Sequence, residues 1–311
     1  MLGSLRMDKS MVQALTDLLQ KYRVIFKRDR AGIDNERLVG KYVEEIVDVN
    51  YAYYASKRGA HIQKPKIKAI PYQEDSNFNG SYKLFDNTIL YAMGSSQEKP
   101  FTMNFRRRYD KDSDIYILAF LTVLMGVICH EFLHYTQSAE FGQEKIWDKK
   151  FTPADYAQAL NRMFFHYVYG HRKTELAAYA LSDAIVLAVF TDPKIYVTED
   201  RFSMNESLVL KNIFRQGITK FEYNSPMELQ AKLDETYNNL IGDIVELTDV
   251  QKLELRKQYI VPRSPKQFER YEREVYAYYS KIFRRYIRDF EPMNRVFGPI
   301  TASMLPKYGY R

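Results

Sequence analysis

The longest apolar run of the chain lies at Ile115–Cys129, where fifteen consecutive positions carry no charge. A run this dense predicts a helix that is buried on most of its faces, and we place this helix at Ile115–Gln137. The run is shorter than the roughly 20 apolar residues that a bilayer requires, so we expect a core helix and no membrane span. The rest of the chain is predicted to be organised around it.

Helical and extended patterns alternate ahead of this helix. Apolar residues at helical spacing predict helices at Ser10–Tyr22 and Asn35–Arg58, while Val24–Arg30 is ambiguous. Short apolar segments bounded by turn residues predict strands at Lys64–Ile70, Ser81–Leu84 and Asn87–Met93. Phe101–Phe105 is a further candidate strand.

Almost everything after the long helix has helical apolar spacing, and prolines mark the boundaries between segments. A small sheet followed by helices predicts the α+β class. We divide the chain into an N-terminal helical region at 1–60, a core domain at 61–200 and a helical C-terminal extension at 201–311, whose tail is irregular.

The long helix ends on three polar side chains, His130, Glu131 and His134, in the pattern HEFLH. Burying a carboxylate and two imidazoles costs several kcal/mol unless they are paired or bound to a metal. Residues four apart on a helix lie about 40° apart around its axis, so both histidines can hold one Zn²⁺. Glu131 is rotated about 100° from His130, beside the metal, where it can act as general base on a metal-bound water. The alternative is a pair of satisfied surface histidines on an ordinary helix.

A catalytic zinc site usually has three protein ligands, and Glu175 is the first candidate for the third. It begins an apolar helix 175 − 134 = 41 residues after the second histidine, next to alanines that let two helices approach closely. Asp183, about 80° further around that helix, could accept a hydrogen bond from a ligand histidine. The alternative role of Glu175 is a first-turn acid that interacts with the helix dipole.

Other assignments stay open at this point. The remaining candidates for the third ligand are Glu228, Glu274, His166 and His171. His166 and His171 could instead stabilise an oxyanion, a role that is also open to Tyr169, Tyr179 and Tyr223. Mn²⁺ or Co²⁺ could replace Zn²⁺.

Composition narrows the class of protein. Cys129 is the only cysteine in 311 residues, which excludes a disulfide-stapled secreted domain. Its side chain points about 100° away from that of its helix neighbour His130, so we expect Cys129 in the packed core rather than as a ligand. The N-terminal stretch lacks the apolar segment of a signal peptide, so we expect a cytoplasmic location. A net charge of +7 is weak evidence for an acidic partner, and Arg106–Arg108 is better explained as solvated surface than as a nucleic-acid contact.

The segments HEFLHYTQ and YGHRKTELAAYALSDA together resemble the gluzincin-type zinc metallopeptidases, specifically the small peptidases often encoded by bacteriophages and bacteria. In that family the HExxH helix is followed by a helix carrying ExxA, whose glutamate is the third ligand. The resemblance implies a zincin-like core with His130, His134 and Glu175 as zinc ligands and Glu131 as general base. It also implies that the strand NTILYAM is the edge along which an extended peptide lies. The resemblance covers roughly Ser81–Phe190.

Two functions follow as expectations. The first is a zinc-dependent endopeptidase that acts on a peptide or protein substrate, in a host cytoplasm or a virion if the chain is phage-encoded. The second is a non-catalytic structural or interaction protein on a peptidase-like fold, such as a virion component, which forms a homo-oligomer or binds assembly partners. The 26 tyrosines, the 19 phenylalanines and the flanks without a family resemblance favour the second.

Overall fold

The computed structural model describes residues 8–28, 35–58, 62–71, 80–93, 114–140, 177–186 and 188–189, together with residues 227, 231, 248–250, 253, 266 and 281–283. The helices are α1 (Lys9–Arg28), α2 (Glu36–Arg58) and α3 (Asp114–Glu140), and the strands are β1 (Lys66–Pro71), β2 (Gly80–Lys83) and β3 (Thr88–Met93). Residues 177–186 and 188–189 are also helical, and we call this segment α4. The described residues are mostly helical with one small three-stranded sheet, so the predicted α+β class is confirmed.

Each of the first two helices begins at a side chain that caps it. Asp8 accepts a hydrogen bond from the backbone N–H of Ser10 at 2.7 Å, and Asn35 accepts one from the N–H of Leu38 at 3.1 Å. Asp and Asn are preferred at this position because their side-chain oxygens satisfy N–H groups that lack a helical partner. Helix α1 runs past its predicted end at Tyr22, because the buried apolar stripe continues one turn further to Phe26.

Helices α1, α2 and α3 pack against one another around a shared apolar core. Tyr42 of α2 lies at its centre and is fully buried. Its ring centroid is 4.8 Å from that of Tyr22 in α1, and its hydroxyl donates a hydrogen bond to the backbone carbonyl of Leu121 in α3 at 3.0 Å. Helix α3 is buried on most faces, as predicted, and no helix within the described ranges is long and apolar enough to cross a membrane.

The three described strands form one sheet in the order β1–β3–β2, with β1 parallel and β2 antiparallel to β3. Asn87 closes the turn between β2 and β3 with φ at 47°, a left-handed conformation that asparagine tolerates. Its side chain accepts a hydrogen bond from the Tyr82 hydroxyl at 3.1 Å and donates one to the carbonyl of Gln63 at 3.3 Å. Asn87 therefore ties the turn to the chain that leads into β1.

The strand NTILYAM occupies the middle of this sheet as β3. It pairs with β1 over Lys66–Pro71 on one side and with β2 over Gly80–Lys83 on the other. The expectation that it forms a substrate-binding edge is therefore wrong. Its five consecutive buried residues, Thr88 to Ala92, are typical of a strand covered on both faces rather than of an edge.

Tyr135 of α3 contacts the sheet through both its hydroxyl and its ring. Its hydroxyl donates a hydrogen bond to the carbonyl of Gln63 at 3.0 Å, and its ring meets that of Tyr82 in β2 edge-on at 6.1 Å. Both β2 and β3 contact α3. The sheet is thus placed beside the half of α3 that carries the HEFLH pattern.

An ion pair joins α1 to the start of α3. Arg23 donates two hydrogen bonds to Asp114, from Nε to Oδ1 at 2.8 Å and from Nη2 to Oδ2, while Nζ of Lys27 lies 2.8 Å from Oδ2. Burial alone would raise the pKa of Asp114, but the hydrogen bonds from Arg23 and Lys27 outweigh it and hold this pKa below its ordinary value of 3.8. Asp114 is also the first residue of α3, where a negative charge favours the helix dipole.

We expect Asp114→Asn to lower the free energy of unfolding by about 1–2 kcal/mol at neutral pH, a value discounted for the partial exposure of the carboxylate. Because the pKa of Asp114 is lower in the folded state than in the unfolded state, the carboxylate stabilises the fold fully above about pH 5. This contribution is lost as the pH falls through the folded-state pKa, so wild type and variant should converge in acid. Urea titrations over a series of pH values measure both effects.

Asp48→Asn is the matched control, because Asp48 pairs with Lys64 at a more exposed position. It should change the free energy of unfolding by less than about 0.5 kcal/mol. A deficit of the Asp114 variant that stayed constant into acid would contradict the assignment to the carboxylate.

Candidate metal centre

The HEFLH pattern lies in the C-terminal half of α3, and its polar side chains are largely withdrawn from solvent. His130 is 7% exposed and Glu131 is 6% exposed, while His134 is half-buried. A buried carboxylate next to buried imidazoles is costly unless hydrogen bonds or a metal compensate for the lost hydration. The interpretation as two ordinary surface histidines does not fit this burial.

The two histidines point their ring nitrogens at each other. Their Nε2 atoms are 3.1 Å apart, and the rings are nearly perpendicular, with centroids 4.8 Å apart. Two nitrogen ligands at about 2.0–2.1 Å from one tetrahedral zinc ion would be about 3.3 Å apart. The pair therefore fits a single zinc ion, and it equally fits a hydrogen bond between the rings.

The other nitrogen of His134 has an acceptor beside it. Nδ1 of His134 lies 3.0 Å from Oε1 of Gln137, which is 5% exposed and one helical turn further along α3. Metal-bound histidines usually donate their second ring N–H to such a group. The sequence motifs point to Asp183 for that kind of role and do not point to Gln137. The available signal was an amide three residues after a candidate ligand, on the same helix face.

Glu131 lies beside the first residue of β2. A Cβ added to Gly80 would be 3.2 Å from Cγ of Glu131 and 2.7 Å from Cγ1 of Val127. Only glycine lets the strand approach the helix this closely, because any larger residue would displace one of the two. The local sequence does not assign this role to Gly80, which in the structure brings β2 up to the predicted general base.

Helix α4 packs against the same part of α3 from another direction. The ring of Tyr179 lies 4.2 Å from that of His130, and a Cβ added to Gly126 would be 2.8 Å from Cγ2 of Val186. Residue numbers rise along α3 as they fall along α4 between these contacts, so the two helices are antiparallel. The alanines that the sequence analysis expects at such an approach are all buried: Ala177, Ala178 and Ala180.

The third ligand stays a prediction. Its candidates all lie outside the described residues: Glu175, Glu228, Glu274, His166 and His171. Within the part of the chain that the structure describes, no group of three His, Cys, Asp or Glu side chains could hold a metal ion. A zinc site with the usual three protein ligands would therefore take its third ligand from outside these residues. Arg106–Arg108 also lies outside the described ranges.

Cys129 is part of the apolar core, as the sequence predicted. It is buried, and Nδ2 of Asn50 donates a hydrogen bond to its Sγ at 3.6 Å. Burial raises the pKa of the Cys129 thiol to about 12, although the hydrogen bond from Asn50 acts in the opposite direction. The thiolate is the form that binds metals, so this neutral thiol is a poor ligand.

Comparison with protein-family models, with curated proteins and with solved structures gives no match to this chain. The resemblance to gluzincin peptidases therefore rests on the two sequence segments alone. The case for a metal centre rests on the geometry of the chain's own residues.

Proposed function

We propose that this protein is a zinc-dependent metallopeptidase that hydrolyses peptide bonds. The observation that carries the proposal is the 3.1 Å separation between the Nε2 atoms of His130 and His134. This distance is close to the separation of about 3.3 Å for two nitrogen ligands of one tetrahedral zinc ion. The buried carboxylate of Glu131, the next residue along the helix, supplies the second group that the reaction needs.

The separate roles of the zinc ion and of Glu131 follow from these positions. A zinc ion held by His130 and His134 would lower the pKa of a bound water to about 7 and polarise the carbonyl of the scissile bond. Glu131 takes a proton from the attacking water and delivers it to the leaving amine. Its burial removes competing solvent, which strengthens the hydrogen bonds that the carboxylate makes during these transfers.

Glu175 is our choice for the third ligand. It precedes Tyr179 by four residues, the spacing of neighbours on one helix face, and Tyr179 lies on the ring of His130. Because α4 is antiparallel to α3, lower residue numbers on α4 correspond to the direction from His130 towards His134. This spacing supports Glu175 over candidates further along the chain.

The substrate strand is assigned to β2 instead of β3. Of the described strands, β2 is the outer one that contacts α3, and it begins at Gly80 beside Glu131. An extended peptide that adds to the outer side of β2 gains main-chain hydrogen bonds from the strand. The same placement brings its backbone towards the carboxylate of Glu131.

Metal content tests the proposal directly. Elemental mass spectrometry of the purified wild type should find about one zinc per chain, and His134→Ala and Glu175→Ala should each lose most of it. His61→Ala, a histidine outside the motif, is the matched control and should keep its zinc.

The other outcomes are equally informative. Zinc lost from His134→Ala but retained by Glu175→Ala would move the third ligand to one of the four remaining candidates. A wild type without zinc, even when zinc is supplied during expression, would contradict the proposal and favour the structural role.

A further inference from the structure

We propose that Gln137 is a positioning residue that fixes the tautomer of His134 and so prepares its Nε2 to bind a metal. The purpose of this arrangement rests on the proposed function, whereas the tautomer itself is a property of the metal-free protein. Gln137 ends the segment HEFLHYTQ but lies outside the HEFLH pattern itself, and the structure brings its amide to the ring of His134.

The hydrogen bond determines where the proton lies. A neutral imidazole has one nitrogen that donates and one that accepts, and the carbonyl oxygen of a glutamine amide can only accept. Since Oε1 of Gln137 lies 3.0 Å from Nδ1 of His134, Nδ1 carries the proton. Nε2 of His134 then presents its lone pair, which is the form that binds a metal ion.

Burial and helical spacing make this hydrogen bond durable. Gln137 is 5% exposed, so water cannot readily replace His134 as the partner of its amide oxygen. Positions three apart lie on the same face of a helix, and α3 holds both Cα atoms in place. A ligand oriented from within its own helix does not depend on the docking of another element.

The two histidines are consequently different in the metal-free protein. Because Nε2 of His134 presents a lone pair, the 3.1 Å contact is a hydrogen bond donated by Nε2–H of His130. His134 is ready to bind, whereas His130 must move its proton from Nε2 to Nδ1 before its own Nε2 can coordinate. Through its hydrogen bond, Gln137 thus gives His134 and His130 different tautomers in the metal-free protein.

The first test is the tautomer of His134 in the metal-free wild type. Histidine labelled with ¹⁵N in its ring gives distinct chemical shifts for protonated and unprotonated nitrogens, and His134→Ala assigns the signals among the five histidines. We expect a protonated Nδ1 and an unprotonated Nε2 for His134. An unprotonated Nδ1 would overturn the proposal, since Gln137 would then present its amide nitrogen to the ring. A ring protonated on both nitrogens would also overturn it, since Nε2 would then carry no free lone pair.

The second test is zinc affinity, measured by competition with a chromophoric chelator. Gln137→Met keeps the length of the side chain but removes the strong acceptor, and should weaken zinc binding about 10–100-fold. Gln137→Glu keeps an acceptor oxygen, so its affinity for zinc should stay close to that of the wild type. Gln13→Met, which replaces a glutamine on α1 that donates to Asp17, is the matched control and should leave affinity unchanged.

The outcomes separate this inference from the proposed function. Equal affinity of Gln137→Met and the wild type would overturn the role of Gln137 and leave the peptidase proposal standing. A wild type that binds no zinc would overturn the peptidase proposal, and the ring shifts of His134 would still decide whether Gln137 fixes the tautomer. Circular dichroism melts of each variant show whether a lost affinity reflects a lost fold.

Discussion

Glu131→Gln is expected to reduce peptide hydrolysis by about 10²–10⁴-fold while the zinc content stays that of the wild type. Glutamine has nearly the same shape as glutamate but cannot accept the proton of the attacking water. The two ring nitrogens that are proposed to hold the metal are untouched, so zinc should be retained.

The measurement uses zinc-loaded protein and a library of internally quenched fluorescent peptides, with kcat and KM determined for each substrate that is cut. The loss should fall on kcat, because the proton transfer takes place only in the transition state. Glu140→Gln is the matched control: it lies on the same helix, nine residues further and about 180° around it. Unchanged turnover of Glu131→Gln would remove this residue from the mechanism.

Tyr42→Ala is expected to lower the free energy of unfolding by about 3–5 kcal/mol, which is the usual cost of removing a large buried ring. Tyr42 is fully buried, its ring packs on that of Tyr22, and its hydroxyl is bonded to the carbonyl of Leu121. The substitution leaves a cavity where α1, α2 and α3 meet. Chemical denaturation measures the effect, with loss of helical circular dichroism as the signal.

Tyr42→Phe separates the ring from the hydroxyl. It keeps the packing and removes only the hydrogen bond to Leu121, so the expected loss is about 1 kcal/mol. If Tyr42→Phe cost as much as Tyr42→Ala, the stability would come from the polar contact and the packing argument would be wrong.

Helices α1 and α2 could be predicted from the sequence because their apolar residues repeat at helical spacing, and α3 because its uncharged apolar run is long. The predicted Asn35–Arg58 and Ile115–Gln137 correspond to α2 and α3 with small differences at the ends. The end of α1 was missed because Arg23 interrupts its apolar stripe. That arginine is nevertheless buried, since Asp114 of a distant helix neutralises it. Because Asp114 lies 91 residues away from Arg23, the local sequence pattern around Arg23 does not indicate this ion pair.

The candidate site was predicted only in part, because some of its contacts depend on tertiary structure. The spacing of His130, Glu131 and His134 on one helix follows from helix geometry alone, and the structure places them as expected. The role of Gly80 requires knowledge of which strand lies against α3, and the position of β3 requires knowledge of strand order. Neither is a local property of the chain.

The contact between Tyr42 and Leu121 joins residues that are 79 positions apart, and this separation matters while the protein is being synthesised. At about 5–20 residues per second, a ribosome adds those residues in about 4–16 s. For most of that interval α1 and α2 have been made, but the helix that covers their apolar faces has not. The nascent chain therefore exposes a hydrophobic surface for several seconds, so we expect chaperone binding to its N-terminal helices to end once α3 emerges.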